Sequence, residues 1–308
     1  MSLPRSSADG VPHFRTVAYI LVTGAGGQLG QQIVQLSSAE DSGNRTVGVS
    51  SAELDITDKR AVDDAVEPGM VVINCAAYTA VDAAEADEAR ALEVNANGPR
   101  NLAESCARVG ARLIHVSTDY VFDGLSAVPY EPNQPTAPQS AYGRTKLAGE
   151  RNVLAALPSA TVVRTAWVYT GVGSDFVATM RRLESEHETI TVVDDQVGSP
   201  TYSRDLAAGL LELAGAESVS VPILHLTNAG TASWYDLARA VFAGLGADPD
   251  RVAPCSSSEY VRPAPRPAFS VLSGEAWSKA GLTPLRDWQD ALADALSAAS
   301  AAARSPTK

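Results

Sequence analysis

The chain has 308 residues, 45% of them hydrophobic and 19% charged, with a net charge of −12 and no cluster of Lys or Arg. That length supports one large or two modest domains with a sizeable core, and the acidic balance argues against a surface built for nucleic acid or anionic membrane. The apolar runs are strand-sized, too short to span a bilayer; Cys75, Cys106 and Cys255 stand alone among four scattered histidines, so neither a disulfide framework nor a zinc site is expected and a reducing cytoplasm fits.

Residues 1–15 lack an apolar signal-peptide core and read as a disordered leader. Val17–Thr23 is a short apolar run, followed by Gly24-Ala25-Gly26-Gly27-Gln28-Leu29-Gly30 and a helical pattern over Gln28–Leu36. A strand is predicted at Thr46–Ser50, a helix at Lys59–Val66, a strand at Met70–Cys75, one long Ala-rich helical region over Ala83–Val109, and a strand at Arg112–Ser117. Pro129, Pro132, Pro135 and Pro138 keep the next stretch irregular. Helix returns over Ala141–Leu157 and strand over Thr161–Thr165. This alternation predicts an α/β fold, a doubly wound parallel Rossmann sheet over residues 16–166. Past Trp167 the rhythm loosens: helices are expected at Phe176–Glu186, Arg204–Ala214, Ser233–Gly244 and Asp287–Ala303, short strands at Ile190–Val193 and Ile223–Leu226, and a loop at Arg262–Pro267. Residues 167–304 read as a smaller C-terminal α/β substrate lobe, with room for exchange of segments between the two halves.

Gly24, Gly27 and Gly30 fall between the first strand and the first helix. Such a loop lets the backbone approach a pyrophosphate and lets the helix N-terminus face it with free N–H groups. The second strand ends Val49-Ser50-Ser51, without the acid that would hold the 2′-hydroxyl of NAD. Ser50 or Ser51 can instead meet a 2′-phosphate, which favours NADPH and leaves NADH second. Asp55 and Ile56 follow, either framing the adenine or, for Asp55, capping the next helix.

Tyr142 and Lys146 stand at i and i+4 at the start of the helix after the proline-rich loop, so they share a face. A phenol can protonate the alkoxide of a reduced ketone, and a nearby cation lowers its pKa. At the end of the fourth strand Ser117 and Thr118 point to opposite sides, so one hydroxyl can polarise a carbonyl.

Taken together, "TGAGGQLG" (Thr23–Gly30), "NCAAYTAVDAAE" (Asn74–Glu85), "VNANG" (Val94–Gly98), "STDYVFDG" (Ser117–Gly124), "YGRTKLAGE" (Tyr142–Glu150), "RTAWVY" (Arg164–Tyr169), "DDQVGSPT" (Asp194–Thr201), "TASWYDLA" (Thr231–Ala238) and "RPAFSVL" (Arg266–Leu272) resemble the extended short-chain dehydrogenase/reductase family, in its dTDP-4-dehydrorhamnose reductase branch. The resemblance runs from Ile20 to about Leu296. It implies NADPH-dependent reduction of the C4 ketone of dTDP-4-dehydro-6-deoxy-L-mannose. Thr118 would polarise the ketone, Tyr142 would be the general acid, and Lys146 would lower its pKa and hold the nicotinamide ribose. Gly24, Gly27, Gln28, Leu29, Asp55, Ile56, Ala76, Ala77 and Tyr78 fall on the cofactor side, and Thr79, Val81, Asp119, Tyr120 and Trp167 on the dTDP-sugar side. Arg266 is expected at the diphosphate, against the plainer reading of an exposed loop arginine. Asn95 would order backbone near Lys146 or cap a helix turn. Some members of the family bind Mg2+ between subunits through glutamates; Mg2+ stays possible here, but without identifiable ligands no metal ligand is assigned, and monomer and homodimer both stand.

The alternatives lie close in fold. A 4,6-dehydratase would carry a Glu where this chain has Tyr120. An epimerase shares the Tyr/Lys pair but usually retains NAD. A non-catalytic module, like the regulatory subunit of methionine adenosyltransferase, has no need of Thr118, Tyr142 and Lys146 together. Twenty arginines against four lysines fit a GC-rich bacterial genome.

Overall fold

A computed structural model describes residues 19–39, 45–216, 219 and 221–304; the leader expected at 1–15 lies outside them. The first half lays down β1 (Tyr19–Thr23), α1 (Gln28–Ala39), β2 (Arg45–Val49), α2 (Lys59–Ala65) and β3 (Met70–Asn74). Helices α3 (Val81–Ala86), α4 (Glu88–Leu92) and α5 (Gly98–Val109) precede β4 (Arg112–Thr118), α6 (Ala141–Ala156) and β5 (Thr161–Thr165). The second half contributes β6 (Val168–Tyr169), α7 (Phe176–Glu186), β7 (Ile190–Val193), β8 (Val197–Gly198), β9 (Thr201–Tyr202), α8 (Ser203–Gly215) and β10 (Ile223–His225). It closes with β11 (Ala232–Ser233), α9 (Trp234–Gly244), β12 (Val252–Cys255), α10 (Glu275–Lys279) and α11 (Trp288–Arg304).

Six strands form one parallel sheet in the order β10-β5-β4-β3-β1-β2. The chain order reverses between β1 and β3, which makes their carboxyl ends the topological switch point where such sheets bind ligands. Strand β3, MVVIN, is buried along its whole length, as a strand covered on both faces should be. One face packs Ile20, Val22, Ile73 and Val163 against Ile33 of α1 and Leu206 and Leu210 of α8. The other packs Leu21, Val72 and Val162 against Val62 of α2, Leu102 of α5 and Val153 of α6. A third core, built on Tyr169, Val177, Leu237, Phe242, Trp288 and Leu292, comes from the chain beyond Trp167.

The chain beyond Trp167 returns to the sheet. Strand β10 lies parallel to β5, and the guanidinium of Arg112, at the start of β4, donates to the carbonyls of Leu213 and Ala214 at the end of α8. Among the described residues, the parts of the chain beyond Trp167 that stay outside this sheet include α7, α9, α11 and small two-stranded pairings.

The region expected as one helix over Ala83–Val109 is divided. The Asp87 carboxylate caps a new helix by accepting the Arg90 N–H. A π turn at Glu93–Asn97 then swings Asn95 inward, fully buried, before Pro99 starts α5. Asp58, not Asp55, caps α2, taking the N–H groups of Arg60 and Ala61, while Asp55 accepts from the N–H and hydroxyl of Thr57. Ser140 caps α6 through the Gly143 N–H, which fixes where Tyr142 and Lys146 begin their helix.

Candidate active site

A cavity of about 1180 Å3 opens at the switch point. Gly24, at the end of β1, has φ +70, and a Cβ there would lie 2.6 Å from the Ala76 nitrogen after β3. A Cβ on Gly30 would lie 2.5 Å from the Gly24 carbonyl oxygen. Any other residue at either position would push the loop out of the crevice. The loop leads directly into the N-terminus of α1, and the free N–H groups of a helix start suit an anion. Gly24, Gly27, Gln28, Leu29, Gly30, Ala76 and Ala77 all line the cavity, and so do Ser50, Asp55 and Ile56 at its far end. These residues fit a dinucleotide. Tyr78, expected with them, does not line the cavity: its ring packs among Ala84, Ala91 and Ala141 beside Tyr142.

One acid near the second strand escaped the sequence reading. Glu53 accepts from both the N–H and the hydroxyl of Ser50, each at 2.8 Å. The carboxylate thus occupies the donors expected to meet a 2′-phosphate. The S-x-x-E spacing of a capping box was the signal that could have found it.

At the other end, β4 and α6 bring three groups together. The Thr118 hydroxyl donates to Asp119 Oδ1 at 2.9 Å and accepts from the Tyr120 N–H at 3.2 Å. Ser117 turns the other way and donates to buried Glu150 at 2.6 Å. Burial pushes the Tyr142 phenol up to about 12; nearby Thr118 draws it down and Asp119 pushes it up. Burial also pulls the Lys146 ammonium down to about 8, against the raising influence of Glu150. Lys146 Nζ donates to the Val116 carbonyl at 2.7 Å. Desolvation dominates, so the phenol is not poised to ionise on its own. The phenol is instead held protonated, ready for a base as strong as an alkoxide. Asn95 reaches the same helix: it accepts from the Tyr78 N–H and donates to the Tyr78 carbonyl and to Thr145 Oγ1, tying the loop after β3 to α6.

Thr79, Val81, Asp119, Tyr120 and Trp167 line the remaining wall. Trp167 takes φ +48, a left-handed conformation for a non-glycine residue, of the kind found at functional sites. It stacks face to face on Trp234 from α9, with ring centroids 3.5 Å apart and planes 4° from parallel. Trp234 and Asp175 also line the cavity, and neither was singled out from sequence. Asp175 Oδ2 accepts from the N–H groups of Thr170 and Gly171 and from Gln28 Nε2 at 3.4 Å, joining the C-terminal lobe to the glycine loop. Arg266 lies outside the cavity lining: its guanidinium pairs with Asp82 at 2.9 Å, beside Val81. Among the described residues no group of three or more His, Cys, Asp or Glu could hold a metal ion. No helix there is long and apolar enough to cross a membrane.

A doubly wound sheet with a glycine cradle at its switch point, and a Thr, a Tyr and a Lys gathered where the nicotinamide end would lie, defines a dinucleotide-dependent oxidoreductase of the short-chain dehydrogenase/reductase kind. Within that class the chain belongs to the family described as RmlD substrate binding domain, whose model matches residues 18–301. It is 57% identical over 284 residues to the dTDP-4-dehydrorhamnose reductase of Mycobacterium tuberculosis, covering 91% of this chain and 92% of that one. The crystal structure of a dTDP-4-dehydrorhamnose reductase from Clostridium acetobutylicum superposes with a TM-score of 0.86 at 40% identity, covering 92% and 99% of the two chains. One from Bacillus anthracis, in complex with NADP, gives 0.84 at 35% identity, covering 90% and 98%.

Proposed function

We propose that the protein reduces the C4 ketone of dTDP-4-dehydro-6-deoxy-L-mannose, giving dTDP-L-rhamnose, with NADPH as the preferred cofactor. The observation that carries the reading is the meeting of the glycine cradle with Thr118, Tyr142 and Lys146 in a single cavity. NADPH, when bound, supplies the hydride that arrives at C4. Thr118 polarises the ketone, and Tyr142 gives its proton to O4 as negative charge develops there. Lys146 offsets the phenolate left behind. Asp119, Tyr120, Thr79, Val81 and Trp167 hold the sugar, with the cofactor seated in the 16–166 half and the substrate against the 167–304 lobe. Arg266 would reach a diphosphate only by leaving Asp82. Tyr120 stands where elimination would need a second carboxylate, which favours plain ketone reduction. The reading suits a monomer or a homodimer.

The test is oxidation of NADPH on mixing with the 4-keto sugar nucleotide, followed by absorbance. Bound NADPH that is never oxidised would sink the proposal. Two variants sharpen it. Glu53→Gln removes a negative charge from the Ser50 donors, so the NADPH-over-NADH ratio of kcat/KM should rise by a few fold, as expected for a solvent-screened charge; an unchanged ratio would place the 2′-phosphate elsewhere. In Gly198→Ala the new Cβ would fall 2.3 Å from Trp167 Cε2. The ring would have to move, so KM for the sugar nucleotide should rise about tenfold, as for a lost contact of about 1.4 kcal/mol, while NADPH affinity measured by fluorescence stays put.

A further inference from the structure

Asp119 is almost wholly buried, and its Oδ2 has no hydrogen-bond partner. The groups facing it are Thr118 and Tyr120 from its own turn, Tyr142 from α6 and Ser270 from the C-terminal loop. The Thr118 hydroxyl has one proton, and that proton is given to Asp119 Oδ1. While it is, Thr118 cannot donate to a substrate ketone. Its oxygen also already accepts the Tyr120 N–H.

Building on the reductase reading, we propose that Asp119 is a positioning residue that sets the direction of the Thr118 hydroxyl, and that the enzyme turns over in the form in which Asp119 is protonated. The ionised carboxylate draws the Thr118 proton to itself. The protonated carboxyl reverses the bond: its O–H donates to Thr118 Oγ1, the second lone pair there takes the Tyr120 N–H, and the Thr118 proton is released toward the ketone oxygen. The one covalent change in this switch is the O–H bond that Asp119 forms with a proton taken up from solvent; everything else is a rearrangement of hydrogen bonds. Burial raises the Asp119 carboxyl to about 6, with the hydroxyls of Ser270 first and then Thr118 opposing, so the switch falls within reach of ordinary conditions. The sign follows: the raised pKa leaves more of the carboxyl protonated as pH falls, so turnover rises as pH falls through that value and declines above it. The same proton removes the negative charge that raises the Tyr142 pKa, easing its transfer.

Two measurements decide the matter. With NADPH and the 4-keto sugar nucleotide both saturating, kcat should increase about tenfold between pH 7 and pH 5, as for a single ionisation near 6. In Asp119→Asn, whose amide N–H donates to Thr118 at every pH, that inflection should vanish. If the variant keeps the inflection and only raises KM, Asp119 serves the sugar alone and does not direct Thr118, and the proposal is overturned. In the protein alone, the 13C carboxyl resonance of Asp119 should titrate near pH 6, and its midpoint should rise in Thr118→Val, because the hydroxyl that stabilises the ionised form is gone. A midpoint unmoved by that change overturns the coupling. Absence of turnover at every pH would count against the reductase reading, and the resonance would still decide the Asp119–Thr118 link.

Discussion

Replacing Tyr142 with Phe is expected to lower kcat by at least about two orders of magnitude, the low end for loss of a general acid. The affinity for NADPH should stay close to that of the parent protein. The structure separates these effects. The Tyr142 ring meets Tyr120 edge-on, with centroids 5.6 Å apart and planes at 76°, and it packs beside the Ala84, Ala91 and Ala141 cluster. A phenyl ring keeps those contacts. No hydrogen bond from the Tyr142 hydroxyl is needed to start α6, because the Ser140 cap does that. What the variant loses is the proton, with the phenol at about 12 in the parent. A loss of two to four orders corresponds to about 2.7–5.5 kcal/mol of transition-state stabilisation. Steady-state kinetics with a fluorescence titration of the cofactor reads both quantities, and near-normal turnover would remove Tyr142 from the role of acid.

The parts of this site that were legible in the sequence are those whose logic is local. The glycine loop, the strand before it and the helix after it form one continuous stretch, Tyr19–Ala39, and Tyr142 and Lys146 share a helical face whatever the rest of the chain does. The β-α rhythm likewise announces a parallel sheet. What local pattern could not supply was set by contacts between distant segments. Ile223–His225 reads as any short apolar strand, and only the free edge of β5 gives it a place in the main sheet. Ala-rich composition made residues 83–109 look like one helix, because the division depends on Asp87 as a cap and on Asn95 turning inward to Tyr78 and Thr145. Trp234 becomes a wall of the cavity only when α9 brings it onto Trp167. The rise in the Tyr142 pKa on burial was out of reach for the same reason: a Tyr-x-x-x-Lys spacing gives proximity to a cation, whereas burial depends on everything else that packs around the ring.

Beneath the site lies the second large effect. Glu150 follows Lys146 by one helical turn, and its carboxylate takes a two-pronged contact from Arg164 of β5, at 2.8 and 2.7 Å. Both side chains are 2% exposed. Ser117 donates to the same carboxylate at 2.6 Å, and Arg164 also donates to the Pro132 carbonyl and lies over the Phe122 ring. The cluster therefore fastens α6, the end of β4 and the proline-rich loop to β5. Arg164→Met should cost about 3–5 kcal/mol in urea unfolding, because it leaves the buried Glu150 carboxylate without its guanidinium partner. The double variant Arg164→Met with Glu150→Met removes both charges and should recover much of that loss, since matched apolar replacement of a buried pair is close to neutral. The two variants separate packing from charge. Catalysis should follow a different course: even the stable double variant lacks the anchor that Ser117 and Arg164 give to α6, so the turn carrying Lys146 gains freedom and kcat should fall while stability returns. If the single variant costs less than about 1 kcal/mol, the pair resembles an exposed ion pair in its energetics, and its role in holding Tyr142 and Lys146 would have to be abandoned.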